Sequence, residues 1–287
     1  MKSPSRTATL TALMRALGNL GLTSAKEFTD PVAAKLLPPG RALAIYAVTS
    51  ALMHVGARRV LRRGLAPGVD TQTLRTLAID EALASALHKH DSNQLVILGA
   101  GLDGRAFRLS GLASIDVFEV DHPATQTYKR TKAMASGLVA RSRSLVYVPV
   151  DFESDPFAER LALAGFNAKR QSAWVWEGVV MYLSDNALRM TLDSIVCLST
   201  PQSRLIVQYK EPSDDAELLQ QCSLTITRKL GEPQIGLRPR TVMRDEMERH
   251  GFRILSDDGA AEWATRFGAR MQLPVALGSR LIVAERR

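Results

Sequence analysis

The residues best suited to chemistry gather around one stretch, Leu95 to Asp121, LVILGAGLDGRAFRLSGLASIDVFEVD. Leu95-Val96-Ile97-Leu98 reads as a buried strand that stops at Gly99-Ala100-Gly101, a turn almost without side chains. Glycines there let a ligand approach the backbone with no Cβ in the way. The next apolar run, from Ile115, contains Glu119 and ends on Asp121, and an acid closing such a strand can accept hydrogen bonds from two ribose hydroxyls. Together these residues describe a nucleoside-binding crevice. Gly99, Gly101 and Gly104 equally satisfy the dinucleotide fingerprint, so the glycines alone do not choose the ligand.

Two later apolar runs also end in acids, LVYVPV at Asp151 and AWVW at Glu177. In an open parallel sheet ligands sit beyond the carboxyl ends of the strands. Four successive strand ends carrying glycine or an acid therefore build one wall. Its carboxylates suit hydroxyls, an adenine amine, an ammonium or a sulfonium, whereas a pyrophosphate would be repelled.

Stepping outward, the elements that must hold this wall follow from periodicity. Leu10, Leu13, Met14, Leu17 and Leu20 set an opening helix from about Ser5 to Gly21. Asp30-Pro31 should cap a short helix to Leu37, Arg41 to Arg63 a long apolar one ending at Gly64, and Ala66-Pro67-Gly68 a loop before a helix from Thr73 to His90. Strands and helices then alternate. His122-Pro123 starts a helix to Ser136, strand 145–150 follows, and Asp155-Pro156 caps a helix closed by Gly165. Strand 173–177, helix 185–198, strand 204–209, a helical stretch 214–230 and a loop 231–239 come next. Thr241 caps a helix to His250, and strands 252–255 and 279–285 complete seven. The expected fold is α/β: a Rossmann-like, mostly parallel seven-stranded sheet with helices on both faces. Residues 1–90 form an N-terminal helical cap within the same domain, and 91–287 the core, with a lid insertion near 211–240.

Composition narrows the function classes. At 287 residues and 46% hydrophobic the chain can bury a sizeable core. Cys197 and Cys222 lie far apart without metal-ligand spacing, which fits two structural thiols in a reducing, cytoplasmic setting. The net charge of +8 raises nucleic acid as a partner, but the basic residues are dispersed and only 6% of residues are aromatic, so solvated helical faces are the better reading. No apolar run is long enough to span a bilayer, and membrane partners are not expected. Lys2, Arg6, Arg15 and Lys26 precede any acid in the manner of a transit peptide, yet the periodicity there reads as a structural amphipathic helix.

The motifs LGAGLDGRAFRL, FEVDHP with Lys129 and Lys132 following, Asp151-Phe152 in VDF, and EGVVMYL from Glu177 resemble the leucine carboxyl methyltransferase-like family. They are most similar to its bacterial branch of S-adenosylmethionine-dependent methyltransferases. The resemblance extends to TALMRAL around Arg15 and LRTLAIDEAL around Arg75. It implies a class I methyltransferase fold and S-adenosyl-L-methionine as cofactor. By this resemblance Arg15 and Arg75 hold the cofactor carboxylate and Gly99 and Gly101 pass under its amino-acid portion. Asp121, with Glu119, binds the ribose; Asp151 and Phe152 address the adenine; Glu177 sits near the ammonium. Gly104 departs from the threonine usual in the family.

The activity so implied is O-methylation of a carboxyl or hydroxyl on a small-molecule acceptor, the bacterial branch being associated with metabolites such as polyketides. An ionised carboxylate needs no base, while a hydroxyl does. Tyr209, Tyr182 and His122 are the candidate bases near strand ends, and no metal cluster is evident. Plainer roles compete for several residues: Asp121 as a helix cap, Trp174 and Trp176 as sheet packing, His54 as a buried core histidine, Lys129 and Lys132 on a solvated face. The competing functions are an NAD(P)-dependent oxidoreductase using the three glycines and Asp121, and a non-catalytic RNA-binding module. The acceptor and the oligomeric state stay open at this level.

Overall fold

The computed structural model describes residues 5–52, 55–89, 93–152, 155–212, 231–269 and 278–287, with short helical pieces between 221 and 229. Helix α1 (Arg6–Leu17) begins where the Ser5 hydroxyl accepts the Ala8 N–H and runs into a π-helical turn, Gly18–Leu22. Gly21 ends that turn in the left-handed conformation, φ +80°. Asp30 Oδ1 accepts the N–H groups of Val32 and Ala33 and so starts the short helix α2 (Ala33–Leu36). Helices α3 (Pro39–Leu52) and α4 (Val55–Lys89) follow.

Here the structure corrects the sequence reading. Helix α4 does not stop at Gly64 or loop at Ala66-Pro67-Gly68; it continues through all of them. A proline removes one backbone donor and crowds the preceding turn. The packing of α4 against α1, β4, β5 and β7 outweighs that loss.

The remainder alternates: β1 (Gln94–Leu98), α5 (Arg105–Arg108), β2 (Asp116–Asp121), α6 (Pro123–Ala135), β3 (Ser144–Pro149), α7 (Phe157–Leu163), β4 (Ser172–Trp176), α8 (Asp185–Cys197) and β5 (Arg204–Lys210). Then come α9 (Arg240–Arg249), β6 (Phe252–Gly259), α10 (Ala260–Arg266) and β7 (Ser279–Arg286). The seven strands form one sheet in the order β3-β2-β1-β4-β5-β7-β6. Only β7 runs antiparallel to its neighbours, inserted between β5 and β6. This is the α/β outline expected from the sequence.

Smaller differences have local causes. Asp155 does not cap α7, because its Oδ2 accepts the Asp151 N–H at 2.9 Å, and Pro156 takes the cap position. Thr241 lies inside α9, whose cap position is Pro239. Helix α10, which the sequence reading passed over, buries Trp263 completely. His54, Cys222 and most of the expected helix 214–230 lie outside the described residues.

Strand alternation sends side chains to two cores. One face gathers Leu98, Phe118, Trp174, Trp176 and Tyr209. The other packs Ile97, Val117 and Val175 under Leu74 and Ile79 of α4 and Trp263 of α10. Trp174 and Trp176 are thus sheet-packing residues, and Trp174 meets Phe157 edge-to-face and Phe166 at a tilt. A third cluster joins α1 and α2 to Leu102 and Phe107 just beyond β1, and this joint sets α1 across the end of the sheet. No described helix is long and apolar enough to cross a membrane.

Candidate active site

The carboxyl ends of the parallel strands open into one cavity of about 770 Å³. Gly99 and Gly101 follow β1, Asp121 closes β2, Asp151 and Phe152 lie past β3, Glu177 follows β4, and Lys210 closes β5. Helix α1 contributes Thr7 and Arg15, helix α4 contributes Gln72 and Arg75, and the segment before α9 contributes Glu232 and Gln234. The size matches ordinary small-molecule sites, which hold about 300–1,000 Å³.

The glycine turn is required by its surroundings. Gly99 has φ +64°, and a Cβ on it would fall 2.1 Å from Val179 Cγ2. Gly101 has φ +47° and donates its N–H to Asp121 Oδ2, while the His122 N–H donates to Asp121 Oδ1 at 2.6 Å. Burial pushes the Asp121 carboxyl above its ordinary range, and the two N–H groups pull it partly back. Each oxygen keeps a lone pair for a further donor. Gly104, the departure from the family pattern, packs against Val32, so the missing hydroxyl is replaced by a close helix contact.

Three side chains hold Glu177. Arg75 donates from Nε to its Oε1 at 2.9 Å and brings Nη2 equally close to that oxygen, Gln72 donates to the same oxygen at 3.3 Å, and Arg105 Nη1 donates to Oε2 at 2.8 Å. Burial alone would raise this carboxyl, but Arg105, Arg75 and Arg15 outweigh it and hold it well below the usual range. Arg105 also grips Asp103, and it holds that acid low against burial with help from Lys129. Arg15 donates to Asp30 Oδ2 at 2.9 Å and to the Leu102 carbonyl at 2.7 Å.

The structure therefore brings Arg15, Arg75, Gly99, Gly101, Asp121, Asp151, Phe152 and Glu177 onto one wall, and leaves Glu119 behind it. Glu119 is wholly buried, with Lys129 Nζ 2.6 Å from its Oε2. Burial raises the Glu119 carboxyl to about 7 although Lys129 opposes the shift. Lys129 is 1% exposed and so is no surface residue, as its sequence context had suggested.

The three candidate bases separate. Tyr182 and His122 line the cavity. Burial raises the Tyr182 phenol, against the pull of hydrogen bonds with Thr7 and Gln234. His122 caps α6, its Nδ1 accepting the Ala124 N–H at 3.2 Å. Tyr209 turns to the opposite face of β5 and donates to Asp257 at 3.1 Å, away from the cavity, so it is no candidate base here. Its neighbour Lys210 faces the cavity instead. Burial, helped by Arg75, lowers the Lys210 amine to about 8, and its Nζ donates to Gln234 at 3.2 Å.

Glu232 latches the segment before α9 to α1. It accepts from the Ser5 hydroxyl at 3.1 Å, the Arg6 N–H at 2.9 Å and the Thr7 hydroxyl. Arg238 anchors the other end of that segment on the carbonyls of Val180 and Leu183 and on Asp185.

Residues 8–196, two thirds of the chain, match the leucine carboxyl methyltransferase family. The chain belongs to that family. A relative from Mycolicibacterium smegmatis, provisionally named an S-adenosyl-L-methionine-dependent methyltransferase, is 32% identical over 203 residues, 70% of this chain and 61% of its own length. One from Mycolicibacterium vanbaalenii with the same provisional name is 38% identical over 156 residues, 54% of this chain and 50% of its own. The chain thus spans about half to three fifths of the curated relatives it matches. A Thermobifida fusca protein of solved structure, provisionally named a methyltransferase, has a TM-score of 0.58 at 17% identity, covering 97% of this chain and 95% of that one. At that identity the likeness is one of fold.

Within this leucine carboxyl methyltransferase family chain, the sequence reading missed Lys210, Glu232, Gln234, Thr7 and Asp103 on the cavity wall. Lys210 was legible, since Ile206, Gln208 and Lys210 share one face of β5 by simple alternation. Glu232 carried no local signal; its role depends on a contact with Thr7 more than two hundred residues away.

Proposed function

We propose that the chain is an S-adenosylmethionine-dependent O-methyltransferase acting on a carboxyl or hydroxyl of a small-molecule acceptor. The observation that carries this reading is the charge of the cavity wall. Asp103, Asp121, Asp151, Glu177 and Glu232 face it against Arg15, Arg75 and Lys210. A net acidic wall suits a ligand with a sulfonium and an ammonium, and it opposes the pyrophosphate of a nicotinamide dinucleotide. That weighs against the oxidoreductase alternative, and the same acidic wall opposes the phosphate backbone of RNA.

The residues present fit the cofactor. Gly99 and Gly101 line the cavity without side chains, Asp121 has lone pairs for ribose hydroxyls, and Asp151 with Phe152 offers an acceptor and a ring face to adenine. Arg15 and Arg75 match the α-carboxylate, and Glu177, held ionised, matches the ammonium. When bound, the cofactor supplies a methyl group activated by its positive sulfur.

The protein's part is positioning and water exclusion. Glu232, latched to α1, lines the cavity, whose apolar side, with Leu10, Met14, Met181 and Leu183, suits a greasy, polyketide-like acceptor. In this reading Lys210, on the same cavity wall, serves the acceptor. Charged, it pairs with a carboxylate; neutral, it takes the proton of a hydroxyl.

The test is direct. Purified protein with methyl-labelled S-adenosylmethionine is offered carboxylic acids and phenols of this size, and products are read by mass spectrometry. A labelled ester or ether supports the reading; transfer to nitrogen, or hydride consumption from NADH, contradicts it.

A further inference from the structure

Behind the cavity wall four arginines and four acids form one continuous ionic chain. Arg15 pairs with Asp30, Asp30 lies 3.9 Å from Arg108, Arg108 pairs with Asp80, and Asp80 Oδ1 takes Arg105 Nε at 2.7 Å. Arg105 Nη1 then reaches both Asp103 and Glu177, and Glu177 meets Arg75. The formal charges cancel. The members facing the cavity are Arg15, Arg75, Asp103 and Glu177, whereas Arg105 and Asp80 stand behind them.

The geometry at Glu177 has an unusual feature. A guanidinium beside a carboxylate prefers the fork, one nitrogen to each oxygen. Arg75 instead places both nitrogens on Oε1. The other oxygen is taken by Arg105, which is 2% exposed and fixed from behind by Asp80 and by two bonds to Asp103. Without Arg105, Glu177 can swing into a fork with Arg75, and the two would satisfy each other.

We infer that Arg105, held by Asp80, is a positioning residue that keeps the Glu177–Arg75 pair, which meets through Oε1 alone, from turning into a two-point fork, and so leaves both able to meet the ammonium and carboxylate of an amino-acid ligand. This rests on the proposed S-adenosylmethionine reading. Its consequence is selective: the bonds of the Arg105 side chain among the described residues go to Asp80, Asp103 and Glu177 and not to Gly101, Asp121 or Phe152 in the nucleoside half of the site. Loss of Arg105 must weaken ligands through their amino-acid end only.

The experiment compares S-adenosylhomocysteine with 5′-methylthioadenosine, which lacks the amino-acid end, by calorimetric titration of the full chain. For Arg105→Gln the homocysteine ligand should weaken about tenfold or more, the size of one lost charged hydrogen bond, while methylthioadenosine stays within about twofold. Arg105→Lys, which has one nitrogen for three acids, should fall between. Should Arg105→Gln fail to fold, Asp80→Asn must give the same split at smaller size. Equal weakening of both ligands, or none, overturns the positioning role while leaving the cofactor reading intact. A wild-type protein that binds neither ligand overturns both.

Discussion

Gly99 lies so near Val179 that a single added methyl would overlap it, its Cβ falling 2.1 Å from Val179 Cγ2. The end of β1 and the turn after β4 are therefore fitted together without slack. Gly99→Ala adds left-handed strain to this overlap and should cost about 2 kcal/mol or more of stability. Gly101→Ala meets Ala8 at 3.1 Å and the Gly99 carbonyl at 3.7 Å, both milder contacts, and should cost about 1 kcal/mol. Urea unfolding of both variants checks the order; equal costs would mean that the contact with Val179 yields.

Asp121 is the acid on which the nucleoside assignment turns. Asp121→Asn keeps the shape but removes the charge and turns an amide against the Gly101 or His122 N–H. S-adenosylhomocysteine should bind about 10-fold to 100-fold more weakly, the range of a hydrogen bond to a charged group. An unchanged affinity would leave Asp121 as a helix-capping residue alone.

Lys210 sets a pH signature that depends on the acceptor. Its amine, lowered by burial to about 8, loses its proton as pH rises through that value. Transfer to a hydroxyl acceptor should speed up across pH 7 to 9, whereas binding of a carboxylate acceptor should weaken over the same range. Lys210→Met should lose either dependence. Rate and Michaelis constant measured against pH separate the two cases.

Glu119 should leave a mark on stability. Its folded carboxyl stands near 7, above its ordinary value near 4, so its contribution is complete below about pH 4 and is lost as pH rises through 7. The melting temperature of the wild type should therefore fall between pH 5 and 8 relative to Glu119→Gln, whatever the variant's absolute stability. Parallel curves would place the proton elsewhere in the pair with Lys129.

The first four strands were legible because each apolar run stops at a glycine or an acid, so strand ends and cavity wall are written by the same residues. Gly99, Asp121, Asp151 and Glu177 carry that signal locally. What escaped notice depends on partners distant in sequence. Lys129 is buried because Thr125, Gln126, Lys129 and Ala133 share the inner face of α6, a face too polar to read as core. Pro67 looks like a breaker until the contacts of α4 with α1 and the sheet are known. Tyr209 and Lys210 both sit at a strand end, and only the pleat decides which of them faces the ligand. Arg105 lies within the motif LGAGLDGRAFRL, yet nothing local says that it holds Glu177.

The central claim is that this acidic, glycine-floored cavity binds an adenosyl amino acid rather than a dinucleotide. Calorimetric titration of the wild type and Asp121→Ala with S-adenosylmethionine, S-adenosylhomocysteine and NADH tests it most directly. Both adenosyl ligands should bind the wild type in the micromolar range and weaken in the variant, with no heat from NADH. Binding of NADH without the adenosyl ligands would contradict it.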